Sequence, residues 1–179
     1  MGIGDMMTLL VFLPPSDFRD ETIATVKLFL DKWGVEYRLA SYGNKDCTGS
    51  HGAVYKQQAS MSKLRLSDFS GILLIDGKGV ETYKLYEYRP LLDTILQANN
   101  ERKLIAAIGN SIKVLARANI INGKKVSVPQ DDETKRLVLL FHGVPSENEI
   151  EVADNIITIR GSSRMEAPMQ TFLDRLGVK

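Results

Sequence analysis

What this chain lacks narrows it first. It has a single cysteine, Cys47, in 179 residues. No internal disulfide framework is therefore possible, and a lone thiol suits a reducing cytoplasm, the expected location. Its only histidines are His51 and His142, and neither has metal-ligand spacing to another histidine or to Cys47. No metal and no cofactor is expected. The 23 Lys and Arg nearly cancel the 22 Asp and Glu, leaving a net charge of +1. A field that weak argues against nucleic acid and anionic membranes as partners. No apolar run is long enough to span a bilayer. The opening MGIGDMMTLLVFLPP lacks a basic flank and a small-residue cleavage site, so it reads as a first strand rather than a signal peptide.

What is present is ordinary in bulk. Hydrophobic residues make up 44% and charged residues 25%, enough for one domain over 1–179 with a sizeable core. Thr8 to Leu13 is a continuous apolar run ended by Pro14 and Pro15, as in a parallel strand covered on both faces. Asp17 and Asp20 offer N-caps to a helix carrying Ile23, Val26, Leu30 and Trp33, which Gly34 stops. Val35 to Ala40 completes a βαβ unit. Ser41 to Leu66 is rich in Gly, Ser, Lys and Gln, with β-prone residues at Val54 and Tyr55, and reads as an excursion at the sheet edge. Gly71 to Ile75 is another buried strand, and Arg89 to Ala98 an amphipathic helix with Leu91, Leu92, Ile95 and Leu96. Leu137 to Phe141 and Ile156 to Ile159 are strand candidates. Met165 to Leu176 is a closing helix. Alternating strands and helices predict a three-layer α/β/α sandwich on a mostly parallel sheet.

The most telling stretch is Leu104 to Val128, LIAAIGNSIKVLARANIINGKKVSV. It reads as a buried strand, a sharp turn, a helix, a loop and another strand. Such a turn can present a nucleophile, but here its apex is Gly109, followed by Asn110 and Ser111. Ligands of open α/β sheets sit beyond the carboxyl ends of the strands. Three loops qualify: Pro14 to Asp20, Asp76 to Glu81, and Gly109 to Ser111. The last begins a helix whose N–H groups favour a small polar molecule or anion. The predicted ligand-binding set is Asp76, Gly77, Gly109, Asn110 and Ser111.

The same stretch resembles the ThiJ/PfpI family, of the class I glutamine amidotransferase-like superfamily with its flavodoxin-like sandwich. Ala106-Ala107-Ile108, Leu115-Ala116 and Ile121 to Val126 carry the likeness. So do Asp68 to Leu74 before the family's Pro-Gly-Gly loop, Thr48 to Gly52, and Asp154 to Gly161. The resemblance implies intracellular peptidase, amidase or glyoxalase-like chemistry and a homo-oligomer, with Tyr83, Tyr86 and Tyr88 near its contacts. It also implies an elbow cysteine followed by histidine, and this chain has Gly109 and Asn110 there. Arg19 and Thr22 fall on positions where the family carries carboxylates, with Asp20 and Glu21 one residue away. Asp76 falls in the oxyanion loop beside Gly77. Glu81 matches a glutamate whose histidine partner is missing.

Glycine cannot attack and asparagine cannot serve as a base near neutral pH. The reading is therefore a member that has lost cysteine-dependent activity and binds a small molecule or acts as a scaffold. The alternative is a divergent hydrolase using Asp20 or Glu21 with Glu81 and an activated water. Asp17, Asp20, Asp76 and Glu81 could also be solvated acids and caps. Ser111 reads as a capping or surface hydroxyl, Ser162 and Ser163 as pocket or turn residues, and Cys47 as an incidental loop thiol.

Overall fold

The computed structural model describes residues 8–161 and 165–177. Apolar runs with no polar face must be covered on both sides, and they assemble here as one sheet. Strands β1 (Thr8–Phe12), β3 (Glu36–Ala40), β6 (Gly71–Leu74), β7 (Leu104–Ile108), β10 (Ile150–Ala153) and β11 (Ile156–Ile159) lie in the order β10-β11-β7-β6-β1-β3. All pairings are parallel except β10 with β11.

Side chains alternate across this sheet as the pleat demands. Leu10, Phe12, Ile72, Leu74, Ile105 and Ala107 face one core, under helices α3 (Arg89–Asn100), α4 (Ile112–Arg117) and α5 (Asp132–Leu140). Leu9, Val11, Leu73, Ala106 and Ile108 face the other, under α1 (Asp20–Lys32) and α6 (Glu166–Leu176). The sandwich is the expected α/β/α arrangement. The excursion after β3 supplies β4 (Cys47–Gly49) and β5 (Val54–Tyr55), which pair with β2 (Ser16–Phe18) in a small second sheet. β8 (Lys125–Ser127) pairs with β9 (Val144–Ser146), and α2 (Gly79–Thr82) is a single turn.

Three expectations fail locally. Leu137 to Phe141 is the end of α5, not a strand. The Asp131 side chain caps that helix by accepting the Glu133 N–H, and burial follows the helical spacing, with Thr134 and Val138 inside and Leu139 and Leu140 outside. A short apolar run does not distinguish strand from helix, and here the cap decides. Second, α1 is capped by Arg19 without a side-chain bond, so neither Asp17 nor Asp20 caps it. Third, Trp33 and Leu96 are partly exposed rather than core residues.

Candidate functional site

The three predicted loops meet at Asp76. The Arg19 N–H donates to the Asp76 carbonyl (2.9 Å), and Phe18 forms a lone bridge with Gly77. From the third loop Asn110 closes the joint. Its Nδ2 donates to the Gly77 carbonyl (2.8 Å) and its Oδ1 accepts the Gly77 N–H (3.1 Å). The asparagine thus acts as a two-point clamp between the loops after β6 and β7, a role a histidine side chain cannot copy because its ring nitrogens point donor and acceptor apart rather than side by side.

Gly109 makes the sharp turn in the left-handed region, φ +57°, where a side chain is strained. Space forbids one as well. A Cβ built at 109 would lie 2.6 Å from Asp76 Oδ2 and 2.9 Å from Asp76 Cβ. Gly161 closes the same corner, since its Cβ would meet Asp76 Oδ2 at 3.1 Å and the Gly109 Cα at 3.1 Å. The Asp76 carboxylate therefore occupies the volume that an elbow side chain would need.

Asp76 is deeply buried, with its side chain 9% exposed. Burial pushes its carboxyl pKa up, while the neighbouring Thr22 hydroxyl and Arg19 guanidinium pull the other way. Arg19 is only at the limit of an ion pair, 4.0 Å from Oδ2. Beyond the contact of the Thr22 hydroxyl with the Asp76 carboxyl, Asp76 Oδ1 and Thr22 Oγ1 are buried with no hydrogen-bond partner among the described residues. Two such orphan atoms are unusual, because buried polar atoms are nearly always paired.

The other candidate acids are committed elsewhere. Asp20 accepts the N–H groups of His51 (2.8 Å) and Ala53 (3.0 Å), pinning the turn after β4. Burial works against that carboxylate, but the two backbone donors outweigh it and hold its pKa below the ordinary value. Glu21 is solvent-facing and pairs with Arg19 (3.5 Å). Asp17 sits at positive φ with only a long 3.4 Å contact from the Ser50 hydroxyl. Glu81 accepts Lys113 Nζ (2.8 Å) and the Tyr86 hydroxyl (2.8 Å). The Lys113 hydrogen bond is the main reason its pKa lies low. The constellation of Asp20 or Glu21 with Glu81 is therefore not assembled around one water.

Ser111 is buried rather than on the surface. Its Oγ accepts the Ile108 N–H (2.9 Å), and its single proton has the carbonyls of Ile108 (2.7 Å) and Leu74 (3.2 Å) as acceptors within reach. It is a capping hydroxyl, but an internal one that cannot face a ligand. The Gly77 N–H, in the loop after β6, is already taken by Asn110. Cys47 is a buried strand residue rather than a loop thiol, and burial raises its pKa. His51 and His142 are exposed at separate turns. Ser162 and Ser163 lie outside the described residues. Tyr83 bonds Ser16 (2.9 Å), Tyr86 bonds Glu81, and Tyr88 stacks with Tyr42 at 4.8 Å, so this segment is anchored within the chain.

Sequence reasoning missed Lys113. Lys113 is buried on α4, although a lysine in a short helix reads as solvated. No local signal marked it, because Glu81 also has Lys78 and Lys84 three residues away in sequence. No helix among the described residues is long and apolar enough to cross a membrane.

Known proteins share this fold. The chain is 26% identical over 152 residues to an uncharacterized protein of Methanocaldococcus jannaschii, covering 85% of this chain and 74% of that one. A ThiJ/PfpI domain protein from Brachyspira murdochii superposes with a TM-score of 0.87 at 19% identity, over 94% and 95% of the two chains. The putative protease I of Bacteroides thetaiotaomicron gives 0.84 at 15% identity, over 95% and 99%. Drosophila melanogaster DJ-1beta gives 0.81 at 21% identity, over 97% and 91%. At these identities the solved structures establish the fold alone, a flavodoxin-like α/β sandwich. A model of the DJ-1/PfpI family matches residues 7–174, and the chain belongs to that family.

Proposed function

We propose that this protein has given up thiol chemistry at the elbow and holds a small polar molecule there instead of turning it over. One observation carries the reading: the Asp76 carboxylate fills the volume above Gly109, 2.6 Å from where a side chain would begin. The change is matched on both sides, since restoring a thiol at 109 would require removing Asp76. The expected ligand also changes character. With the Gly77 amide engaged and a carboxylate in place, an anion is disfavoured, whereas a group with N–H or O–H donors suits Asp76 Oδ1 and Thr22 Oγ1.

The raised pKa of Asp76 supports one alternative, a hydrolase in which this carboxyl moves a proton. The two readings separate in one set of measurements. Purified parent and Asp76→Asn are assayed for peptidase, amidase and glyoxalase turnover. Thermal stability is followed with methylammonium and acetamide as donor probes, and with acetate and phosphate as acceptor probes. The binding reading expects no turnover, and a Tm rise with the donor probes that Asp76→Asn abolishes. Turnover in the parent that disappears in Asp76→Asn overturns it. A homo-oligomer is the expected assembly, through the partly exposed Tyr42 and Tyr83. Sedimentation as a monomer at every concentration would remove that expectation.

A further inference from the structure

A second site lies on the flank of the elbow, between α2, α4 and α5. Glu81, Tyr86, Lys113, Glu133, Arg136, Leu137 and Leu140 line a cleft of about 230 Å³. At its base is the Lys113 ammonium, whose side chain is only 5% exposed. An ammonium has three N–H donors. Among the described residues Lys113 makes one hydrogen bond, to Glu81 Oε2 at 2.8 Å. It also lies 5.5 Å from the centre of the Tyr86 ring, and Glu133 at 4.0 Å is beyond hydrogen-bond reach. A buried cation with spare donors calls for another acceptor.

The walls describe what that acceptor is attached to. Glu133, Arg136, Leu137 and Leu140 follow one another at helical spacing along α5. Leu140 is 66% exposed and Leu137 half-buried, so the far side of the cleft is apolar. Arg136 is exposed and has no ion pair among the described residues. Of the two acids, Glu81 has its oxygens taken by Lys113 and Tyr86. Glu133 has its side chain 71% exposed and is free to turn to solvent.

We propose that this cleft binds a small amphiphilic carboxylate, its head on Lys113 and Arg136 and its tail on Leu137 and Leu140. The site is separate from the elbow and uses none of its residues. A carboxylate gains charge-assisted bonds that an alcohol or amine of the same chain cannot. The tail removes Leu140 from water.

Hexanoate is the probe, with hexan-1-ol and hexylammonium as matched controls, titrated by calorimetry and by amide chemical shifts. Hexanoate should bind saturably and shift residues 113 and 133–140, and hexylammonium should bind at least about tenfold more weakly. Arg136→Gln and Leu140→Glu, both at exposed positions, should each weaken hexanoate by about fivefold or more. Asp76→Asn should leave its affinity unchanged, which keeps this result independent of the elbow. Lys113→Met should abolish binding, with circular dichroism to confirm the fold. Equal binding of hexanoate and hexylammonium, or hexanoate binding indifferent to Arg136→Gln and Leu140→Glu, overturns the proposal.

Discussion

The elbow and its flank each bury a charge, and they treat it in opposite ways. Asp76 lies under the elbow with a free oxygen and a distant arginine, and burial drives its pKa up. Lys113 lies a turn further along and meets Glu81 at 2.8 Å, with Tyr86 completing the carboxylate. Burial is similar, so the partner decides the outcome. The ion pair satisfies the Glu81 carboxylate and leaves the Lys113 ammonium with donors to spare, while at the elbow it is the carboxyl that is left partly unsatisfied.

The comparison breaks most readily at the elbow. Gly109→Cys should destabilise the protein by about 2–4 kcal/mol in denaturant unfolding, combining strained φ with overlap on Asp76. In an Asp76→Gly background the overlap disappears, and about 1 kcal/mol of backbone cost should remain. That coupling of roughly 1–3 kcal/mol in a double-mutant cycle is the signature of a matched pair. Additive effects would mean that Asp76 does not guard the elbow. On the flank, Glu81→Gln leaves Lys113 buried without its anion. Because Glu81 itself is 47% exposed, the loss should be about 2 kcal/mol at pH 7, below that of a fully buried pair.

The pH dependence sharpens the contrast. Glu81 is held below its ordinary value, so its contribution is complete above the unfolded-chain pKa of about 4.3 and is lost as pH falls through the folded value. Asp76 is held above its ordinary value. Its contribution is complete below about pH 3.9 and is lost as pH rises through the folded value. At pH 7 Asp76→Asn should therefore gain about 1 kcal/mol while Glu81→Gln loses, and both differences should shrink in acid. Unfolding curves from about pH 3 to about pH 8 check the two signs.

How legible each region was in the sequence follows from the same physics. The strand, turn, helix and strand of Leu104 to Val128 were readable because apolar runs and glycines act locally. Leu137 to Phe141 was misread because five apolar residues fit either period, and Asp131, the deciding cap, lay outside the run. The convergence of three loops at Asp76 followed from the general geometry of parallel sheets. What Asp76 does there did not, because its contact with Gly109 joins two loops that only the sheet brings together. The Asn110 clamp and the internal Ser111 were hidden for the same reason. Lys113 was hidden because burial of a lysine depends on a partner from another helix.

The smallest effect tests the flank from its own phenol. Tyr86 is pushed up to about 12 from an ordinary 10.0, first by burial and then by its bond to the Glu81 carboxylate. Tyr86→Phe removes one hydrogen bond at a partly exposed site and should cost only about 0.5–1 kcal/mol. The phenol itself is the finer probe. In Glu81→Gln, ultraviolet titration should find Tyr86 lowered but still above its ordinary value, since the burial contribution survives the substitution. A fall all the way to the ordinary value would assign the shift to Glu81 alone. The flank would then be a more open, water-accessible cluster, and its difference from the buried carboxyl at the elbow would be one of solvation as much as pairing.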